Sequence, residues 1–242
     1  MKTMIAASVL ALGATTVMAG DVNPGVIFGS GNANGSFTLA ESSDVEIGLR
    51  GKLRYNSAGL AENTFNWDGG STYTFDPKNS ANPSNRSIFN FEFAINTDVN
   101  DATNSGNKLN DFTYLLTVSR EKANGDIVEL FSFDPINVLH ADHSIGDNGT
   151  TSATDTVAGD PITYAALIAG NNVAQQSWNV GFFNGTPTKV GSYFVELTAF
   201  DGMGAEVVSN DITINVVPLP TAAFAGLGLL GSLAGVRVLR RR

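Results

Sequence analysis

The side chains best suited to chemistry crowd into one stretch, Asp134 to Asn148, which holds both histidines of the chain. His140 and His143 flank Asp142, and Asp147 follows four residues later. Two imidazoles and two carboxylates are a ligand set for zinc or a similar ion. The spacing is not that of an H-E-x-x-H helix, and the same residues serve equally well as caps of their own turns. Calcium is the other ion to consider, because hard oxygen ligands abound in so acidic a chain. The Asp98–Asn107 loop superficially resembles a calcium loop but lacks its glycine order and closing glutamate. A cofactor-free protein is the simpler expectation. With no cysteine, a thiol nucleophile, a disulfide scaffold and a Cys-ligated metal are excluded. No Gly-x-Ser-x-Gly elbow occurs, and the Gly29–Gly35 run precedes a strand, so it forms no phosphate cradle. The expectation is a protein without catalytic activity.

Sugar binding needs fewer residues. Trp67 and Tyr73 bracket an Asp68-Gly69-Gly70 turn, Trp178 follows the amides Gln175 and Gln176, and Phe182 and Phe183 stand shortly after it. Aromatic faces beside amides would hold a sugar ring, while the same aromatics would equally well fill a core.

These residues must be positioned by strands. Asp44–Tyr55 and Ser87–Ile95 alternate polar with apolar residues, as half-buried strands do. Further strands are predicted at Ser36–Leu39, Thr64–Trp67, Thr72–Phe75, Phe112–Ser119, Ile127–Phe133, Ser192–Ala199 and Glu206–Val217. Asp68-Gly69-Gly70 and Asn124-Gly125 supply hairpin turns. One helix is predicted at Pro161–Val173, capped by Asp160 and stopped at Gly170. The fold class is all-β: an antiparallel β-sandwich with one short helix. The last hairpin, Gly191–Asp201 leading through Gly204 to Ile212–Val217, resembles the closing hairpin of cadherin-like and PKD-like modules of immunoglobulin-type architecture. It would turn Tyr193, Val195, Leu197 and Ala199 to the core. Three long polar loops, Asp76–Arg86, Asn96–Asn110 and Ala141–Asp160, interrupt the strands.

The 242-residue chain divides into three parts. Residues 1–19 read as a signal peptide: Lys2, an apolar run Met4–Val17, and small residues at Val17 and Ala19 ahead of a cleavage point at Ala19/Gly20. Residues 20–216 form the ectodomain. Residues 217–242 run from Val217-Pro218-Leu219-Pro220-Thr221 through the apolar stretch Ala222–Val236 to Arg237, Arg240, Arg241 and Arg242. As a helix, Thr221–Leu239 reaches roughly 28 Å, enough for a bilayer core. The arginines act as a basic stop and keep the bulk of the chain outside the cytoplasm. The net charge is −9, but Lys2 and the tail arginines lie outside the ectodomain, which carries nine basic and 23 acidic residues, a net of −14. Such a surface repels phosphate backbones, so nucleic acid is not an expected partner.

The Pro motif, apolar helix and basic end together resemble the PEP-CTERM class of bacterial sorting signals in its VPLPA variant, with Thr221 in place of the last alanine. The stretch from Phe28 to Phe75 is also similar to the opening of a group of proteins with such tails. The resemblance implies export through a translocon and processing by an exosortase-type transpeptidase of a Gram-negative bacterium. The C-terminal helix would be a transient inner-membrane anchor. It further implies a place at the cell surface or in the extracellular matrix, with exopolysaccharide and biofilm. A carbohydrate-binding or adhesive module is the alternative expectation, and a secreted hydrolase the next.

Overall fold

A computed structural model describes residues 16–25, 34–56, 58, 60–77, 86–100, 106–184 and 190–218. Twelve strands are found among them: β1 (Thr16–Gly20), β2 (Phe37–Ser42), β3 (Val45–Tyr55), β4 (Ala61–Thr64), β5 (Thr72–Phe75), β6 (Phe89–Asn96), β7 (Thr113–Glu121), β8 (Ile127–Phe133), β9 (Ser144–Gly146), β10 (Val173–Asn179), β11 (Gly191–Phe200) and β12 (Glu206–Val216). Helix α1 spans Pro161–Gly170, and the single turn α2 spans Gly181–Asn184. The strands form two sheets. One has the order β1-β2-β3-β6-β10-β9, with β4 added to β3; the other has the order β5-β12-β11-β7-β8. The protein is an all-β, sandwich-like fold.

The period-two reading locates most of these strands. Phe89, Phe91, Phe93 and Ile95 bury one face of β6, and Tyr193, Val195, Leu197 and Ala199 bury one face of β11. At the predicted Asp201–Gly204 turn, the Asp201 carboxylate accepts from the Met203 and Ala205 amides, and Gly204 adopts φ +79°. Asp160 caps α1 by accepting from the Ile162 and Thr163 amides.

Four expectations need correction. The sheets are not wholly antiparallel, because β5 runs parallel to β12. The helix ends at Gly170, three residues short, and Val173 already belongs to β10. The strand expected at Thr64–Trp67 lies earlier, at Ala61–Thr64, and Trp67 only bridges Tyr73. The outward face of β3 is not solvated: Arg50 and Lys52 are buried. Phe37 and Phe65 sandwich the Arg50 guanidinium, at 4.1 and 4.3 Å from their ring centres. Glu92 of β6 forms ion pairs with both cations. Burial pushes the Lys52 ammonium below its usual range, and Glu92 draws it back up.

The N-terminal segment completes this face. Val22 packs with Phe37, Leu39 and Ala94 in a satellite cluster. It fits because Gly48 leaves room, since a Cβ there would lie 2.5 Å from a Val22 methyl. The Asn34 amide clamps the Val22 backbone, accepting from its N–H and donating to its carbonyl. Glu46 Oε1 accepts from the Asn23 amide. Burial, with Glu41 nearby, pushes the Glu46 carboxyl up to about 7.

Candidate functional site

The sandwich is tightest where β12 crosses β2 and β3. Asn210 points inward from β12 and donates to the carbonyls of Thr38 and Ile47 in the facing sheet. The sheets diverge toward the opposite side, where β8 and β9 are the edge strands. Aromatic side chains fill the gap.

Trp178 of β10 is the hub of that filling. Its ring meets Phe91 and Phe93 edge-on at 6.1 and 5.4 Å, Phe133 of β8 at 5.6 Å and Phe183 of α2 at 5.3 Å. Phe131 stacks on Phe183 at 4.5 Å. Such pairs add about 0.5–1.5 kcal/mol each beyond their area burial. The cluster reaches the surface: Trp178, Phe131 and Phe133 are half-buried, Phe183 is 37% exposed and Phe182 is 57% exposed. A half-wet aromatic surface can stack on a sugar or another flat apolar group. It carries no nucleophile.

His143 belongs to the inner wall of this cluster, 5.4 Å from Phe93 and 5.3 Å from Trp178. Its Nε2 lies 2.7 Å from the Pro135 carbonyl, which can only accept, so Nε2 carries the proton. Nδ1 is left to accept from Gln176, at 3.4 Å. Burial pushes the ring down to about 4, so it is neutral at physiological pH.

The sequence-predicted metal ligands do not converge. His140 is exposed, with its Nε2 on the Ala158 carbonyl. Asp142 accepts from Gln176, and Asp147 accepts from the Gly149 amide and the Thr150 hydroxyl. Each is engaged with its own surroundings, and no three His, Cys, Asp or Glu side chains among the described residues group closely enough to share an ion. In the calcium-like loop, Asp98 accepts from the Gly106 amide, and residues 101–105 lie outside the described residues.

Of the five aromatics proposed for sugars, Tyr73 must be withdrawn. It is fully buried, and its hydroxyl donates to the Ser36 carbonyl at 2.7 Å. Trp67 stacks on Tyr73 at 6.5 Å and donates from Nε1 to the Gly70 carbonyl, leaving a half-buried ring. Trp178 and Phe183 join a larger aromatic surface. Phe131 and Phe133 are members that sequence reading missed. Phe131 and Phe133 were visible as a period-two pair on β8, but the edge position that half-exposes them was not.

At the ends of the chain, Ala19 and Gly20 lie in β1, which pairs along β2 as an edge strand. Val217 follows β12 directly, and its amide donates to the Phe75 carbonyl. Leu219 to Arg242, with most of the sorting motif, the apolar run and the basic stop, lie outside the described residues, as do residues 1–15. Among the described residues no helix is long and apolar enough to cross a membrane. No protein-family model matches the chain, and no curated protein or solved structure is significantly similar to it.

Proposed function

We propose that the protein is an exported, non-enzymatic component of the cell surface or extracellular matrix, sorted by an exosortase-type system. The observation that carries this reading is the extent of the core. Among the described residues its first buried apolar side chain is Val22 and its last is Val216. The segments read as signal and sorting tail fall on either side. β1, which contains the cleavage residues, adds ladder bonds to β2, and its side chains next to the cleavage point stand outside the core: Met18 is 46% exposed and Ala19 is also exposed. Cleavage between Ala19 and Gly20 therefore removes neither of these from the packed interior. Intact-mass analysis of the native protein, with its partition between membrane and medium, tests the reading. A mature form starting at Gly20 and ending near Pro218–Thr221 is expected. A membrane species that keeps Arg240–Arg242 would overturn the sorting step.

The second reading is a carbohydrate-binding or adhesive module, and the half-exposed surface of Trp178, Phe131, Phe133 and Phe183 favours it. Polysaccharide pull-down should then be lost in Phe183→Leu, which keeps an apolar side chain in the cluster but removes the stacking ring. Unchanged retention in folded Phe183→Leu and Trp178→Leu would remove this reading.

A further inference from the structure

The cations of the ectodomain are unevenly placed. Arg120 faces Tyr193 in the ladder, two residues from Gly191, which pairs with Val216 at the end of β12. Lys122 follows in the β7–β8 turn. In the other sheet the same end of the sandwich holds Leu53, Phe89 and Asn179, because Phe89 meets Tyr193 and Phe75 across the core. Arg54 and Arg86 are therefore at this end as well. Arg86 lies 4.0 Å over Phe182, Arg120 5.6 Å over Tyr193, and Arg54 5.4 Å from the Tyr55 ring. None of these four cations makes a salt bridge within the described residues.

Apolar side chains stand exposed around them: Leu60 at 65%, Ile127 at 63%, Phe182 at 57% and Val190 at 51%. Glu62, Asp76, Glu121, Asp126 and Glu129 share this end. The opposite end is much more acidic, with Asp44, Asp98, Asp111, Asp134, Asp147 and Asp201 against one described cation, Lys108.

The chain leaves the domain at the end that holds these four cations. Only Val217–Thr221 separate β12 from the apolar run, and five residues reach at most about 17 Å when fully extended. If that run enters a bilayer, this end of the domain is held close to the headgroups. Screening extends only ~8–10 Å, so the charges here are felt by the surface and those at the far end are not. A domain with net charge −14 would be pushed off an anionic surface unless the end where cations offset its carboxylates faced it.

We propose that this end of the domain docks on an anionic phospholipid bilayer, with Arg54, Arg86, Arg120 and Lys122 against the headgroup phosphates and Ile127, Phe182 and Val190 at the interface. The proposal rests on the reading of the tail as a membrane segment, and it adds a fixed orientation. The acidic end points away, and the Pro motif is held at the membrane surface, where a membrane-embedded transpeptidase would meet it.

The chain has no cysteine, so single labels are unambiguous. Ile127→Cys and Val190→Cys mark the docking end, and Met203→Cys, 91% exposed, marks the opposite one. The full chain would be reconstituted into phosphatidylglycerol or phosphatidylcholine vesicles and floated. A polarity-sensitive label would then be quenched with neutral acrylamide. In phosphatidylglycerol the Ile127 and Val190 labels should blue-shift and lose about half or more of their quenching, as a screened electrostatic contact requires. High salt, or the Arg86→Glu/Lys122→Glu pair, should restore it. The Met203 label should not change. Flotation with Ile127 and Val190 labels as wet as that at Met203 would overturn the docking while leaving the anchor standing. Failure to float in either lipid would overturn the anchor and the docking together.

Discussion

The two sides of the sandwich are held by different means. Along the seam where β12 crosses β2 and β3, the sheets approach through small and directional groups. A Cβ on Gly51 would lie 3.0 Å from Tyr73 and 3.1 Å from Ile214, so β3 approaches only because that side chain is missing. Asn210 and Tyr73 then bond to carbonyls of the opposite layer. On the aromatic side, the space between the layers is filled by large rings, many of them tilted or edge-on to one another. Directional bonds tolerate few alternatives, whereas rings of similar volume can substitute for one another. The seam therefore fixes the geometry of the fold, and the aromatic side is where sequence can change and a surface can be adapted to a ligand.

The largest way to break the seam lies behind it, at the buried Arg50–Glu92–Lys52 triad. Glu92→Ala takes away the carboxylate that pairs with both buried cations and should cost about 3–5 kcal/mol. Urea denaturation reads this directly, and a loss under 1 kcal/mol would mean that the face is wet in solution.

Titration separates the two sides by sign. The His143 ring is pushed down to about 4 from its ordinary 6.5, so its contribution is complete above pH 6.5 and is lost as pH falls toward 4. This is on the order of 3 kcal/mol. Glu46, over the back of β3, is pushed up to about 7 from 4.5, so its contribution is complete below pH 4.5 and is lost as pH rises through 7. Melting temperature against pH should flatten on the acid side in His143→Phe and on the neutral side in Glu46→Gln. If both variants keep the parent profile, neither group controls it.

Conservative replacements sharpen the contrast. Asn210→Leu keeps the volume but strips hydrogen bonds from the Thr38 and Ile47 carbonyls, and should cost about 2–3 kcal/mol. Trp178→Phe, swapping one ring for another in a half-exposed cluster, should cost about 1–1.5 kcal/mol. Equal losses in chemical denaturation would erase the proposed difference between the two sides.

What the sequence revealed follows the same division. Strands with one dry face and one wet face announce themselves by alternation, and so β6, β11 and most of β7 and β12 were legible. β10 was not, because Gln175, Gln176 and Ser177 break the pattern and Gln176 faces inward on hydrogen bonds to Asp142. The β2–β3 turn was hidden too: Ser43 and Asp44 adopt φ of 51° and 65° without the glycine or asparagine that usually signals such a hairpin. Alternation also suggested a solvated Arg50 and Lys52. Whether a polar face is covered depends on segments distant in sequence, here Val22 and Phe65, and no local pattern encodes that. At the site, the types of the aromatic residues were visible but not their meeting, since Phe131, Trp178 and Phe183 come together only when two sheet edges diverge. The histidines misled in the opposite direction: their closeness in sequence suggested a shared ion, while the fold turns one into the core and the other to solvent.

The position of β12 has a mechanical consequence. It is the last strand, yet it lies inside its sheet, with ten residues paired to β11 on one side and β5 on the other. Tension applied at Val216 and resisted from the far end of the domain runs along the strand, at right angles to the ladder bonds between β11 and β12. Those bonds then yield together rather than one after another, as they would in a strand peeled sideways from an edge. A chain tethered through this end is pulled in the direction in which its last strand is hardest to extract.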